Sequence, residues 1–159
     1  MAFADFASPL LVVQLVRYFG CLPCQEWLVS LDAAAGQVER YGARPIAVGC
    51  SADYQARYLQ ELRGVTIPLL VDSDQQVRDV LDIENLGFRL LDPRGLISYG
   101  RALAGDYRPQ RVTRDTVRAP GVVILDHNLS VRWQFEGNRI DNYPQLSSAL
   151  VAVQHLAGE

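Results

Sequence analysis

The most specific chemical signal in this chain is a pair of cysteines separated by two residues. Cys21-Leu22-Pro23-Cys24 lies between an apolar run, Leu10 to Val16, and a helical periodicity that starts at Gln25. A helix N-terminus carries unpaired N–H groups and a partial positive charge, which stabilise a thiolate and lower its pKa to about 7. Side chains at i and i+3 share one helix face, so the two sulfurs can form a disulfide. The motif predicts a redox pair in which Cys21 attacks and Cys24 resolves.

A zinc site is the main structural alternative for these cysteines, and it requires four ligands. Beyond the pair, the chain offers only Cys50, His127 and His155, which are isolated in the sequence. We therefore favour the redox interpretation and expect no metal and no other cofactor. Cys50 closes an apolar strand and is predicted to be a small buried hydrophobic residue, and both histidines are predicted to lie on the surface.

Alternating strands and helices are predicted to position the pair. An uninterrupted apolar run predicts a strand buried on both faces, whereas apolar residues at steps of three and four predict helices. Three strand–helix units in a row indicate parallel strands, and a closing hairpin makes the sheet mixed. The predicted strands are 10–16, 45–50, 67–71, 121–125 and 130–135, and the predicted helices are 25–41, 53–63, 75–82 and one after Pro144.

A long excursion, residues 84–117, interrupts this order. Its periodicity is weak, and it carries six arginines with several glycines and prolines. Long loops usually contain short elements of their own, so we expect a helical turn near 97–103. With 159 residues, the chain is expected to form one domain, 1–159, with this excursion inserted.

Composition excludes several function classes. The 15 basic residues are all arginine, so there is no Schiff-base lysine or Walker A lysine. The net charge of −3 predicts no general attraction to nucleic acid or to anionic membranes. No apolar run is long enough to span a bilayer, and the N-terminus lacks the pattern of a secretory signal, so we expect a cytoplasmic protein.

From Val12 onward the chain resembles the peroxiredoxin-like proteins of the alkyl hydroperoxide reductase and thiol-specific antioxidant superfamily, in the branch that carries CxxC. The matching text is Val16 to Cys24, Leu70-Val71-Asp72 and Pro120 to Asp126. The resemblance implies a thioredoxin-like three-layer α/β/α sandwich. It also implies that the Ala119–Pro120 bond is cis and faces the cysteines, and that Arg118 steadies the thiolate.

The same resemblance implies a thiol–disulfide oxidoreductase that reduces a peroxide or a disulfide and is itself reduced by thioredoxin or glutathione. It leaves the roles of Cys21 and Cys24 exchangeable, because the peroxidatic cysteine of peroxiredoxins superposes on the second cysteine of CxxC. One departure is clear. Peroxiredoxins carry Thr or Ser three residues before the peroxidatic cysteine and Pro four residues earlier, where this chain has Cys21 and Arg17.

Two other functions remain open. The chain could be a non-catalytic thioredoxin-fold module whose arginine-bearing excursion binds a partner. It could also be a reductase of the same branch that acts on lipid endoperoxides. The apolar side chains near the motif would suit such a substrate.

Overall fold

The chain forms a mixed five-stranded β-sheet covered by helices, in a computed structural model that describes residues 3–6, 8–50, 53–112 and 117–159. The strands are β1 (Leu10–Val16), β2 (Ala43–Gly49), β3 (Leu69–Val71), β4 (Gly121–Asp126) and β5 (Val131–Glu136). Their order in the sheet is β3-β2-β1-β4-β5.

Strand β1 occupies the centre of the sheet, and all of its residues are buried, as its uninterrupted apolar run predicted. It pairs parallel with β2 and antiparallel with β4, and β2 pairs parallel with β3. The predicted hairpin joins β4 to β5, and its turn is held by Asp126, whose carboxylate accepts the N–H groups of Asn128 and Ser130. The predicted mixed α/β sheet is confirmed.

Six α-helices accompany the sheet, and among the described residues none is long and apolar enough to cross a membrane. The predicted helix 25–41 is two helices, because Ala34 leaves helical geometry at φ −93° and ψ 2°. The first of them also begins three residues earlier than predicted, since Pro23 lacks an N–H and fits a first helical turn. The helices are α1 (Leu22–Ala33), α2 (Ala35–Arg40), α3 (Asp53–Arg63), α4 (Gln76–Val80), α5 (Pro93–Ala104) and α6 (Leu146–Ala157).

Two apolar cores cover the two faces of the sheet. On one face α1, α3 and α6 contribute residues such as Leu28, Leu59 and Val153. The other face is covered by a thinner layer that includes Ile83 and Leu86. The central strands of the sheet are therefore covered on both faces.

The excursion is more regular than its sequence predicted. A 3₁₀ helix (Gly87–Leu91) is followed by α5, which is far longer than the single turn expected near 97–103. Asp92 starts α5 by accepting the N–H of Arg94. The base of the excursion is closed by a short antiparallel bridge between Asn85 and Arg118.

Candidate active site

Cys21 and Cys24 lie at the N-terminus of α1, directly after the loop that leaves β1. Cys21 is the N-cap residue, and its carbonyl accepts the N–H of Gln25 at 2.9 Å. Both cysteines are free thiols with no solvent exposure, and their sulfurs are 2.6 Å apart. The predicted placement of the pair at a strand–helix junction is confirmed.

The loop before the pair is tight because it must bring Cys21 from the end of β1 to the start of α1. The N–H of Cys21 donates to the carbonyl of Tyr18 at 3.0 Å, which closes a turn. Gly20 in this turn leaves no room for a side chain. A Cβ atom there would lie 2.8 Å from the Cβ of Gln110.

Arg17 is the charged group at the sulfurs. Its Nη1 donates to the Sγ of Cys21 at 3.8 Å, and its side chain is buried together with the thiols. The guanidinium also lies 5.9 Å from the centre of the Tyr18 ring. A cation in this position stabilises the charged form of Cys21 more than the neutral form.

The two thiols differ in acidity. Burial raises the pKa of the Cys21 thiol, but the hydrogen bond from Cys24 and the charge of Arg17 outweigh this effect and lower the pKa to about 6. Burial raises the pKa of Cys24 well above its usual value, and the neighbouring Cys21 raises it further. Cys21 is therefore the more acidic thiol of the pair.

Two tyrosines complete the immediate surroundings of the sulfurs. The hydroxyl of Tyr99, from α5, hydrogen-bonds to Cys21 and contributes to the lowering of its pKa. It also lies 3.5 Å from the hydroxyl of Tyr18. On the other side Tyr143 hydrogen-bonds to Cys24, and its hydroxyl donates to the carbonyl of Leu15 at 3.2 Å.

Residues 107–112, which we call the cover segment, lie over the loop that carries Cys21. The N–H of Gln110 donates to the carbonyl of Gly20 at 3.3 Å. Two buried glutamines hold the segment in place: Gln25 Nε2 donates to the Arg108 carbonyl at 3.2 Å, and Gln55 Nε2 donates to the Arg111 carbonyl at 2.7 Å. The cover segment is thereby packed against the backbone of the loop that carries Cys21.

The side chain of Arg118 binds partners other than the thiols. The resemblance had implied that it steadies the thiolate. Its guanidinium donates to the carbonyl of Ile83 and forms an ion pair with Asp79. The charge of Arg118 is thus balanced by a carboxylate. The contact with the Cys21 sulfur that was expected of Arg118 is made by Arg17.

The expectation of a cis bond at Pro120 is wrong, because the described residues contain no cis peptide bond. The backbone around Pro120 is held in an extended path from both sides. The N–H of Ala119 donates to the carbonyl of Glu84 at 3.0 Å, and the carbonyl of Pro120 accepts the N–H of Gly137 at 2.8 Å. A trans bond continues this extended path directly into β4.

The remaining cysteine and the histidines lie as predicted. Cys50 is buried, and its thiol donates to the carbonyl of Arg17 at 2.9 Å, so it supports the loop that carries the site. His127 and His155 are both exposed. Within the described part of the chain, no cluster of three or more potential metal ligands is present.

Sequence reasoning missed several residues of the site. Gln14, the polar position of β1, donates through Nε2 to the carbonyl of Cys24 at 3.1 Å and so fixes the first turn of α1. A buried polar residue in an apolar strand was a usable signal for this role. Tyr99 and Gln110 gave no such signal, since they reach the site from the excursion.

Sheet order and flanking helices define a thioredoxin-like α/β fold, and the similarity to the solved structures below confirms the fold that the resemblance implied. Three similar structures are peroxiredoxin Q from Xanthomonas campestris, the reduced 2-Cys peroxiredoxin from Plasmodium vivax and the peroxidoxin BcpB from Mycobacterium tuberculosis. The first has a TM-score of 0.72 and 14% identity, covering 99% of this chain and 85% of that chain.

The other two similarities are slightly weaker. The Plasmodium structure has a TM-score of 0.66 and 11% identity over 94% of this chain and 77% of that chain. The Mycobacterium structure has a TM-score of 0.63 and 12% identity over 94% of this chain and 80% of that chain. No protein-family model and no curated protein matches the chain. At such low identity, these similarities establish the fold, and the chemistry must be argued from the site.

Proposed function

We propose that this protein is a thiol-dependent peroxidase that uses Cys21 and Cys24 as its redox pair. The observation that carries the proposal is the asymmetry between two adjacent free thiols. The pKa of Cys21 is lowered to about 6, whereas the pKa of Cys24 is raised. The fold shared with peroxiredoxins supports the same chemistry, since one protein of similar structure, the bacterioferritin comigratory protein of Xanthomonas campestris, has alkyl peroxide reduction activity.

The reaction follows from the two protonation states. The Cys21 thiolate attacks one oxygen of the peroxide, the O–O bond breaks, and the leaving alkoxide or hydroxide takes a proton to become an alcohol or water. Cys21 is then a sulfenic acid. The Cys24 sulfur attacks it, releases water and forms the Cys21–Cys24 disulfide. Because the sulfurs already touch, this second step requires little movement.

A thiol reductant must close the cycle. Either a dithiol protein such as thioredoxin or two molecules of glutathione reduce the disulfide, and they become oxidised to a disulfide themselves. We expect the reductant to attack the Cys24 sulfur. Cys21 is the better leaving group, since its thiolate has the lower pKa.

Donors at the site replace the hydroxyl group that the peroxiredoxin pattern carries three residues before its peroxidatic cysteine. The guanidinium of Arg17 lies beside the Cys21 sulfur, and the hydroxyl of Tyr99 hydrogen-bonds to it. Both groups can donate to a peroxide oxygen and stabilise the negative charge that develops on it during attack. Arg17 and Tyr99 are therefore proposed as catalytic residues alongside the cysteines.

Burial of the thiols favours a small substrate over a protein disulfide. A cleft of about 190 Å³ opens beside the first turn of α1, and its lining includes Pro23, Trp27 and Tyr143. Tyr143 connects this cleft to Cys24, to which it hydrogen-bonds. A peroxide needs only one small opening to reach Cys21, whereas a protein disulfide requires displacement of the cover segment.

Disulfide exchange is the second candidate, because an acidic thiol followed by a protonated partner three residues later also suits that reaction. The two functions are separated by stopped-flow mixing of the reduced protein with hydrogen peroxide, an organic hydroperoxide and an oxidised protein disulfide, followed by intact mass. We expect the two peroxides to react fastest and to yield a protein lighter by two hydrogens.

Single cysteine variants assign the roles. Cys24→Ser should still react with peroxide and accumulate a sulfenic acid on Cys21 that dimedone traps, whereas Cys21→Ser should not react. The opposite result would assign the attack to Cys24. Reaction with none of the three oxidants by folded wild-type protein would leave the non-catalytic module as the better description.

A further inference from the structure

Helix α5 exposes large apolar side chains to solvent, whereas an ordinary surface helix buries its apolar face against the core. Its inner face is built from small residues and one tyrosine, and Gly95 packs so closely on Ile140 that a Cβ atom would lie 2.7 Å from it. Its exposed positions include the charged residues Arg94 and Arg101, and the others are uncharged: Pro93, Leu96, Ile97, Gly100, Leu103 and Ala104.

The preceding 3₁₀ helix extends this apolar area. Phe88 is 96% exposed and Leu91 is 73% exposed, comparable with 73% for Ile97. We call the exposed side chains of Phe88, Leu91, Leu96, Ile97 and Leu103 the α5 surface. Large apolar side chains concentrated in one short segment of a soluble protein usually indicate an interaction site.

Positive charge accompanies this surface. The excursion, residues 84–117, contains six arginines and four acidic residues, for a net charge of +2, and the rest of the chain has nine arginines and 14 acidic residues, for a net charge of −5. Within the excursion Arg89 is paired with Glu84 and Arg108 with Asp106. The overall charge of −3 conceals this separation between a basic excursion and an acidic remainder.

We propose that the α5 surface binds an anionic lipid bilayer, with α5 lying parallel to the membrane plane. An interfacial helix combines an apolar face with flanking arginines, and its binding adds burial of that face to attraction by anionic headgroups. The charged side chains of α5 are Arg94 and Arg101, both basic and both exposed, and Arg101 also forms an exposed ion pair with Glu26 at 3.4 Å. The acidic remainder of the protein would be repelled by the same headgroups, which orients the molecule with the excursion toward the lipid.

A second copy of the chain fits this surface less well. In a symmetric dimer the same patch must face itself, which would oppose two excursions that each carry a net charge of +2. The proposal does not depend on the chemistry of Cys21 and Cys24, because none of the residues that form the α5 surface contacts the sulfurs.

Co-sedimentation of the reduced protein with vesicles tests the proposal. Vesicles of phosphatidylcholine alone and of phosphatidylcholine mixed with phosphatidylglycerol provide the two lipid surfaces. We expect binding to the mixed vesicles, weakening with added salt, and much weaker binding to phosphatidylcholine alone.

Two variants and their matched controls locate the binding. Ile97→Glu should lower the partition coefficient on the order of tenfold, since it removes an apolar anchor and adds repulsion. Arg94→Gln should lower it about fivefold, the factor that corresponds to about 1 kcal/mol per basic residue near an anionic surface. Val151→Glu on α6 and Arg57→Gln on α3 change exposed residues of the same types elsewhere and should leave binding unchanged.

Several results would overturn the proposal. Equal binding of Ile97→Glu and wild type to the mixed vesicles would show that α5 is not the contact. Failure of the folded wild type to sediment would exclude the lipid surface altogether. A dimer in analytical ultracentrifugation that Ile97→Glu dissociates, or retention on an acidic protein without vesicle binding, would assign the surface to a protein partner instead.

Discussion

Arg17 and Arg118 lie at the same end of the central strands, but their side chains bind different partners. Arg17 follows β1 directly, and Arg118 precedes β4, whose first residue, Gly121, pairs with Leu15 near the end of β1. Arg118 is bound by Asp79, whereas Arg17 contacts the Cys21 sulfur. A position at this end of the strands is therefore not enough to bring an arginine to the thiols, because a nearby carboxylate can bind its guanidinium instead.

Replacement of Arg17 should have the largest effect on reactivity. Arg17→Met removes the charge that stabilises the thiolate, so the pKa of Cys21 should rise toward its usual value near 8.5. At pH 7 the thiolate fraction, and with it the rate of peroxide reduction, should fall roughly tenfold to thirtyfold. Stopped-flow rates and thiolate absorbance at 240 nm would measure both quantities.

Arg118→Met is the matched control. We expect its rate at pH 7 to stay within about twofold of wild type, while the free energy of unfolding falls by about 1 kcal/mol through loss of a partly exposed ion pair. A larger kinetic effect for Arg118→Met than for Arg17→Met would reverse the assignment of the two arginines.

The pH dependence should also be large. Cys21 reacts as its thiolate, so a pKa lowered to about 6 places the rate on a plateau above pH 7 and makes it fall below pH 6. Between pH 7 and pH 5 the rate should drop about tenfold. Arg17→Met should shift the whole profile to higher pH. A wild-type rate that continues to rise up to pH 9 would contradict the acidity of Cys21.

A smaller effect is expected from crowding the loop that carries Cys21. Gly20→Ala places a Cβ atom against the Cβ of Gln110, so the cover segment must shift. Alkylation of Cys21 by a bulky maleimide should become several times faster, because the segment is packed against the loop that carries this buried thiol. Gly36→Ala, which meets no atom within 4 Å, is the control and should leave the rate unchanged.

The smallest effect should come from Cys50. Cys50→Ala removes a buried thiol that bonds to the Arg17 carbonyl, but the backbone of the loop is also held by other contacts. We expect turnover to remain within about twofold of wild type, and mild oxidation to give the Cys21–Cys24 disulfide as in the wild type. Peptide mapping of the oxidised wild-type protein that finds mainly Cys50 cross-links would contradict this role.

The sequence by itself determined the features that depend on short stretches of chain. The apolar run of β1 predicts its central position, because only a strand buried on both faces lacks alternation. The spacing of Cys21 and Cys24 at a strand–helix junction likewise predicts a sulfur pair at the start of α1. These signals are local, since capping and hydrophobic periodicity act over a few residues.

Only the tertiary structure decided which other groups reach the sulfurs. Tyr99 and Tyr143 are 78 and 119 residues from the cysteines they contact, and Arg118 is drawn away by Asp79, 39 residues earlier in the chain. The backbone on either side of the trans bond at Pro120 likewise forms hydrogen bonds with Glu84 and Gly137, which are distant in the sequence. Such contacts depend on how α5 and the loops pack against the sheet, and no short-range pattern in the sequence encodes that packing.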